Sequence, residues 1–210
     1  MVLALVCLGL TIKLAPTDDV WVYSHASDQV NDTFLRVWGA EGNAVTSVEE
    51  QAPASWSMVQ FDLGTSKRSV DLTGAKLVLH HIGNPTFTAD DSLVAPVEVR
   101  PATAGFSEKT WTISDAEDFK PAPGDNDVFG FRPVTPGTDD KPIEVAVELL
   151  AGKRDFRKSF DDALDKGGKL ALAITSRMEI TGGAQRKTYK FFSRSASAEL
   201  RPQLVLTYKD

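Results

Sequence analysis

The 210-residue sequence has one cysteine, three histidines and no apolar run long enough to cross a bilayer. With Cys7 alone, neither a disulfide framework nor a cysteine-based zinc cluster can be assembled. The histidines are His25, His80 and His81. The adjacent pair point to opposite sides of any strand, so they cannot share a metal. G-x-S-x-G, H-E-x-x-H, a P-loop and G-x-G-x-x-G are all missing, which removes the usual signatures of serine hydrolases, zinc peptidases and nucleotide enzymes. Positive charge is also short. There are 23 Lys and Arg against 29 Asp and Glu, a net charge of −6, and this argues against a general nucleic-acid binder. No repeat of fixed period occurs, so a solenoid or propeller is excluded.

The apolar opening, Met1–Leu10 (MVLALVCLGL), falls short of the roughly 20 residues a spanning helix requires. It is similar to the core of an export signal, without the basic residues that precede one or the small-residue cleavage site that follows. We read residues 1–10 as a truncated signal remnant of a secreted or cell-surface protein, and residues 11–210 as one domain. The competing reading is a first strand running into Thr11–Leu14.

What is present is strand-like. Hydrophobic residues make up 42% and charged residues 25%, the mix of a globular chain. Asp19–His25 alternates, with Val20 and Val22 on one face and Trp21, Tyr23 and His25 on the other. Phe34–Trp38 puts Leu35 and Val37 inward and Arg36 and Trp38 outward. Alternation continues in Ser57–Leu63, Ala75–His80, Ala95–Arg100, Ile143–Val147, Leu170–Thr175, Thr188–Ser193 and Leu204–Tyr208, separated by Gly, Pro, Asn and Asp clusters. One helix is expected in Asp155–Lys166, where Phe156, Phe160 and Leu164 form a stripe that Gly167-Gly168 ends. The sum is an all-β, antiparallel sandwich of jelly-roll type with one short accessory helix.

Charge is unevenly spread. Residues 151–210 hold 13 basic and 7 acidic side chains, a balance of +6, and residues 1–150 a balance of −12. The acidic turns, Asp125-Asn126-Asp127, Asp139-Asp140 and Asp90-Asp91, offer oxygen ligands of the kind calcium takes, although the EF-hand pattern is not met; solvated surface charge is the alternative. A glycosidase pair of carboxylates needs no local spacing, and Asp62, Glu98, Glu108 and Glu144 are eligible, but nothing selects two of them. The chain reads as no enzyme.

Several segments, in order, resemble the DNRLRE-type (disaggregatase-related) modules, also called family 96 carbohydrate-binding modules. Asp19–Tyr23 is similar to their opening strand, Leu35-Arg36-Val37 to the second, Phe61-Asp62-Leu63 to the end of the third and Ala75–Leu79 to the next. Phe106–Trp111 (FSEKTW) resembles their W-x-E-x-t-x-T-W turn, with Phe106 for the usual Trp. Ile143–Leu150 stands at their fDvT segment, and Phe191–Tyr208 resembles the closing segment, with Ser193-Arg194 and Arg201-Pro202. Gln60, Ser195 and Ala146 depart from the pattern. The resemblance implies a β-sandwich, usually one module of a larger secreted protein, binding acidic polysaccharides such as alginate.

Sugar recognition needs aromatic faces for pyranose rings and, for uronates, a cation able to grip a carboxylate. Two groups of candidates result. Trp21, Tyr23, Arg36 and Trp38 would form an outward platform. Lys187, Tyr189 and Lys190, beside Arg186 and Arg194, would form a basic strand. Arg194, Arg201, Glu108 and Trp111 read as structural. The expected function is therefore a non-catalytic carbohydrate-binding module with a polysaccharide partner, the alternative being a structural or cell-surface interaction module of a larger protein.

Overall fold

Apolar residues at every second position make the strands, and the turns between them decide which strands meet. The computed structural model describes residues 9–23, 31–39, 54–64, 66–179 and 187–209. Cys7, His25, Arg186 and most of the apolar opening lie outside the described residues. Among the described residues are eleven strands in two antiparallel sheets and two short α-helices.

The first sheet contains β1 (Leu10–Leu14), β3 (Phe34–Val37), β5 (Leu72–His81), β8 (Ile143–Glu148), β10 (Tyr189–Phe192) and β11 (Gln203–Tyr208). The second contains β2 (Asp18–Val22), β4 (Trp56–Asp62), β6 (Val97–Ala102), β7 (Gly130–Arg132) and β9 (Lys169–Thr175). In the first sheet β5 has β8 on one side; on the other it has β11 along most of its length and β10 at His81, which faces Phe191. Take β1, β4, β5, β6, β7, β8, β9 and β11 as eight successive strands. One sheet then reads 1-8-3-6 and the other 2-7-4-5. That is the interleaving of a jelly roll. β2 extends the second sheet beyond β4, and β3 and β10 extend the first. The Leu10–Leu14 segment is thus strand β1, paired with β11 from Leu10↔Tyr208 to Leu14↔Leu204.

The main core lies between the sheets, with Val59, Phe61, Leu77, Leu172, Phe191 and Leu206 among its fully buried members. Helix α2 (Phe156–Asp165) adds Phe156, Phe160 and Ala163 to it. Asp155 caps the helix, its Oδ1 accepting the Lys158 N–H at 3.1 Å. The second helix, α1 (Ala89–Val94), was not expected. Its six residues are too few to show a helical period, but Thr88 and Asp91 form a reciprocal capping box at its start.

A second, smaller cluster corrects the expected orientation of β2. Val20, Val22, Trp56, Met58, Ala171 and Ala173 lie on the outer side of the second sheet, beneath Phe106 and Ala116, with Trp111 and Phe119 packed alongside. Strands β2, β4 and β9 are therefore buried on both faces along most of their length. Trp21 belongs to the core between the sheets, as does Trp38, so both expected outward tryptophans point inward.

The sheets also approach each other at two edges. Trp38 and Ser55 exchange backbone hydrogen bonds of 3.1 and 2.9 Å, joining the end of β3 to the approach to β4. The hydroxyls of Ser55 and Ser57 both donate to the Arg36 carbonyl at 3.0 Å. At the opposite edge Gly130 of β7 packs against the Glu148 carbonyl of β8.

Candidate functional site

The β2–β3 corner collects the first group of candidates. Trp21 and Tyr23 stack with centroids 6.2 Å apart, Tyr23 meets Trp38 edge-on at 5.1 Å, and the Arg36 guanidinium lies 5.2 Å from the centre of the Trp21 ring. The four are together, yet Trp21 is 7% and Trp38 5% exposed, so neither offers a face for stacking. Their indole N–H groups, like that of Trp56, meet no acceptor among the described residues. Tyr23 and Arg36 keep partial exposure.

The second group divides. Tyr189 is fully buried; its hydroxyl lies 2.7 Å from Ser92 Oγ and donates to the Ala95 carbonyl at 2.8 Å. Burial pushes that phenol up to about 12. It is therefore a packing residue, not an exposed one. Lys187 pairs with Asp91 at 2.8 Å. Lys190 faces away from the core, directly across the ladder from Arg36. Its ammonium rests 4.1 Å from the centre of the Phe34 ring, and Phe34 packs on Phe192 at 5.2 Å.

The outer face of β3 and β10 thus holds Phe34, Arg36, Lys190 and Phe192, all half-buried. Arg36 is held by Asp32, with Nε at 3.0 Å and Nη2 at 2.8 Å from one carboxylate oxygen. Lys190 has no carboxylate partner among the described residues. Burial first, and Arg36 second, push its ammonium below the usual lysine range. An anion arriving here would meet two cations balanced by one carboxylate, beside a pair of aromatic rings. Phe34 and Phe192 were not among the expected site residues. Their parity with Arg36 and Lys190 is readable in each strand, but the register that pairs the strands is not.

Three motif positions far apart in sequence converge elsewhere. The Asp19 carboxylate accepts the Arg194 backbone N–H at 2.6 Å. The Arg194 guanidinium pairs with Glu108, whose other oxygen accepts the Asp19 N–H at 3.3 Å. Glu108 N–H donates to Asp18 at 3.2 Å, and the Gln60 amide donates to Asp18 at 3.0 Å and accepts the Gly105 N–H at 2.6 Å. The network ties β2 to the turn at 105–108 and to the segment after β10.

Burial raises Asp19 to about 7, opposed by the Arg194 N–H and assisted by Glu108. Burial lowers His81 to about 4; the ring is kept neutral, Nδ1 donating to the Ile82 carbonyl at 2.6 Å and Nε2 accepting the Lys190 N–H at 2.9 Å. A carboxyl raised by folding costs stability as pH rises from about 4 to about 7. An imidazole lowered by folding costs stability as pH falls from 6.5 to about 4. Their contributions oppose each other across the overlap, each approaching about 1.4 kcal/mol per pH unit. Asp19→Asn removes one of them. Its unfolding free energy should rise between pH 4 and 6.5 more steeply than that of the unaltered protein, as read from urea denaturation at several pH values. Parallel profiles would refute the assignment to Asp19.

Each acidic turn has at least one side chain paired within the protein, Asp91 with Lys187 as above. Asp125 pairs with Arg177 at 2.8 Å, Asn126 accepts from Lys153 at 3.0 Å, Asp127 pairs with Arg154 at 3.2 Å and Asp139 with Lys141 at 3.1 Å. Among the described residues no three His, Cys, Asp or Glu side chains gather as metal ligands. No helix among them is long and apolar enough to cross a membrane.

No protein-family model matches the chain, and neither does any curated protein.

Proposed function

We propose that this chain is a non-catalytic carbohydrate-binding module of a secreted or cell-surface protein, acting on an anionic polysaccharide such as alginate. The observation that carries the reading is the outer face of β3 and β10. There the Lys190 ammonium lacks a carboxylate partner among the described residues and lies over Phe34, directly across the ladder from Arg36 and beside the Phe34–Phe192 pair. A uronate can lay its ring against the aromatic pair and bring its carboxylate to the two cations, replacing the water it gives up. Non-catalytic action is supported by the state of the eligible carboxylates. Glu98 is gripped by Arg100 and Glu108 by Arg194, while the other two, Asp62 on β4 and Glu144 on β8, belong to different sheets. The sequence resemblance to DNRLRE-type modules points the same way.

Affinity electrophoresis in alginate gels, followed by calorimetry with alginate oligomers, tests the reading. Retention is expected at low salt and should weaken as the Debye length falls from about 30 Å to about 10 Å. Lys190→Ala and Arg36→Ala should each lower affinity about tenfold, roughly 1.4 kcal/mol. Absence of retention by any acidic polysaccharide at low salt would overturn it. A structural module within a larger assembly is the second reading, favoured by Leu93, Val94 and Phe131, which are 64%, 84% and 63% exposed.

A further inference from the structure

The basic part of the chain reveals a second place for an anion once its ion pairs are assigned. Arg154, Lys158, Arg177, Lys187, Arg194 and Lys209 each meet a carboxylate, and Lys153 meets the Asn126 side-chain oxygen. Arg157 and Arg201 donate to backbone carbonyls, and Lys190 lies on Phe34. The ammoniums of Lys166 and Lys169 are the ones left, among the described residues of this part, with no ion pair or hydrogen bond. Both line one cleft of about 500 Å³ between the C-terminal half of α2 and residues 101–105.

The cleft has the make-up of a ligand site. Its volume falls within the roughly 300–1,000 Å³ of small-molecule sites. Ala102, Ala163 and Ala171 line it with short side chains, and Thr103 adds a hydroxyl at the rim. The two carboxylates nearby are already engaged. Asp162 pairs with Lys158 at 2.6 Å, and Asp62, across the ladder from Lys169, accepts the Gly64 N–H at 2.8 Å. Short apolar side chains, a hydroxyl and two unpaired ammoniums in one lining suit a ring with an apolar face and a negative substituent.

We propose that this cleft is a second binding site, on the outer side of the second sheet, for a carboxylated sugar unit one or two rings long. The sugar class rests on the function proposed above; the location rests on the cleft and its unpaired lysines. The protein would then hold one anionic chain at two separated places, or two chains at once.

The full chain, labelled with ¹⁵N, can be titrated with a mannuronate trimer and, separately, with uncharged cellotriose while amide shifts are followed. The trimer should move the amides of Lys166, Lys169 and Ala171, and independently those around Lys190; cellotriose should move neither set. The exposed double change Lys166→Ala with Lys169→Ala should weaken the cleft at least tenfold and leave the Lys190 response intact. A response at Lys190 with a silent cleft, or a cleft unaffected by the double change, overturns this inference and leaves the proposed function standing. A cleft that responds while Lys190 stays silent supports the inference and overturns the role given to the β3–β10 face. Silence at both places overturns both, and an equal response to cellotriose overturns the role of charge.

Discussion

Replacing Arg100 with alanine should cost about 3–5 kcal/mol of unfolding free energy, a large part of what a domain of this size has. Arg100 is fully buried on the outer side of β6, and it divides its donors among four groups. Nε and Nη2 bind Glu98 at 3.2 and 2.6 Å, Nε also meets Thr175 at 3.1 Å, and Nη1 donates to the carbonyls of Gly124 at 2.7 Å and Ala122 at 3.4 Å. Without the guanidinium, Glu98 would keep a charge with its side chain only 15% exposed, and two loop carbonyls would lose their donor. Arg100→Lys should recover only part of the loss, because an ammonium has no planar fork to serve both sides. Urea unfolding monitored by fluorescence reads the difference as a lower midpoint at unchanged slope. A loss below about 1 kcal/mol would show that the pair contributes little net stability.

Gly130→Ala should cost about 3 kcal/mol or more, for a steric reason. A Cβ built there would stand 2.0 Å from the Glu148 carbonyl oxygen and 3.0 Å from its carbon. Both partners are backbone in strands, so relief requires β7 and β8 to move apart at the edge where the two sheets meet. Gly167→Ala is the matched control. Nothing lies within 4 Å of that position, and its φ of +103° leaves only backbone strain, about 1–2 kcal/mol. Thermal unfolding of the two variants side by side separates these causes. Equal losses would remove the steric account of Gly130.

How much of this was legible in the sequence depended on how many faces of each element are buried. In β5, where Leu77 and Leu79 alternate with Lys76 and Val78, period-2 patterning gave both the strand and its inner face. In β2 it gave the strand but not the orientation. Val20, Trp21 and Val22 are all buried, because residues 102–119 form a cover on the far side, and a strand covered twice has no polar face to mark the outside. The platform expected of Trp21 failed for that reason, and that of Trp38 because Trp38 lies past the end of β3, bridged to Ser55, where the strand's alternation no longer holds. β7 has three residues, too few for a pattern to show. Helix α2 was visible because its apolar stripe runs nearly three turns and Gly167-Gly168 stops it.

Charge behaved in the same way. Counting residues established a basic C-terminal part and an acidic remainder, but only the fold shows that Arg154, Arg177 and Lys187 each find a carboxylate in the acidic part. Among the described residues of the basic part, the cations with neither ion pair nor hydrogen bond are Lys190, which β10 brings opposite Arg36, and Lys166 and Lys169 beside α2. No spacing rule finds such places, since what marks them is the absence of a partner in space.

The pairing of β1 with β11 sets how the domain bears tension. Leu10 stands across from Tyr208, so the entry of the first strand and the exit of the last lie side by side at one end of the sheet. Their hydrogen bonds run perpendicular to the strands. A pull applied through both ends would load these bonds one after another from Leu10 toward Leu14, opening the seam like a zipper instead of shearing five rungs at once. Strung in a row, such units would give way first at the joints, leaving the body of each sandwich to unfold later.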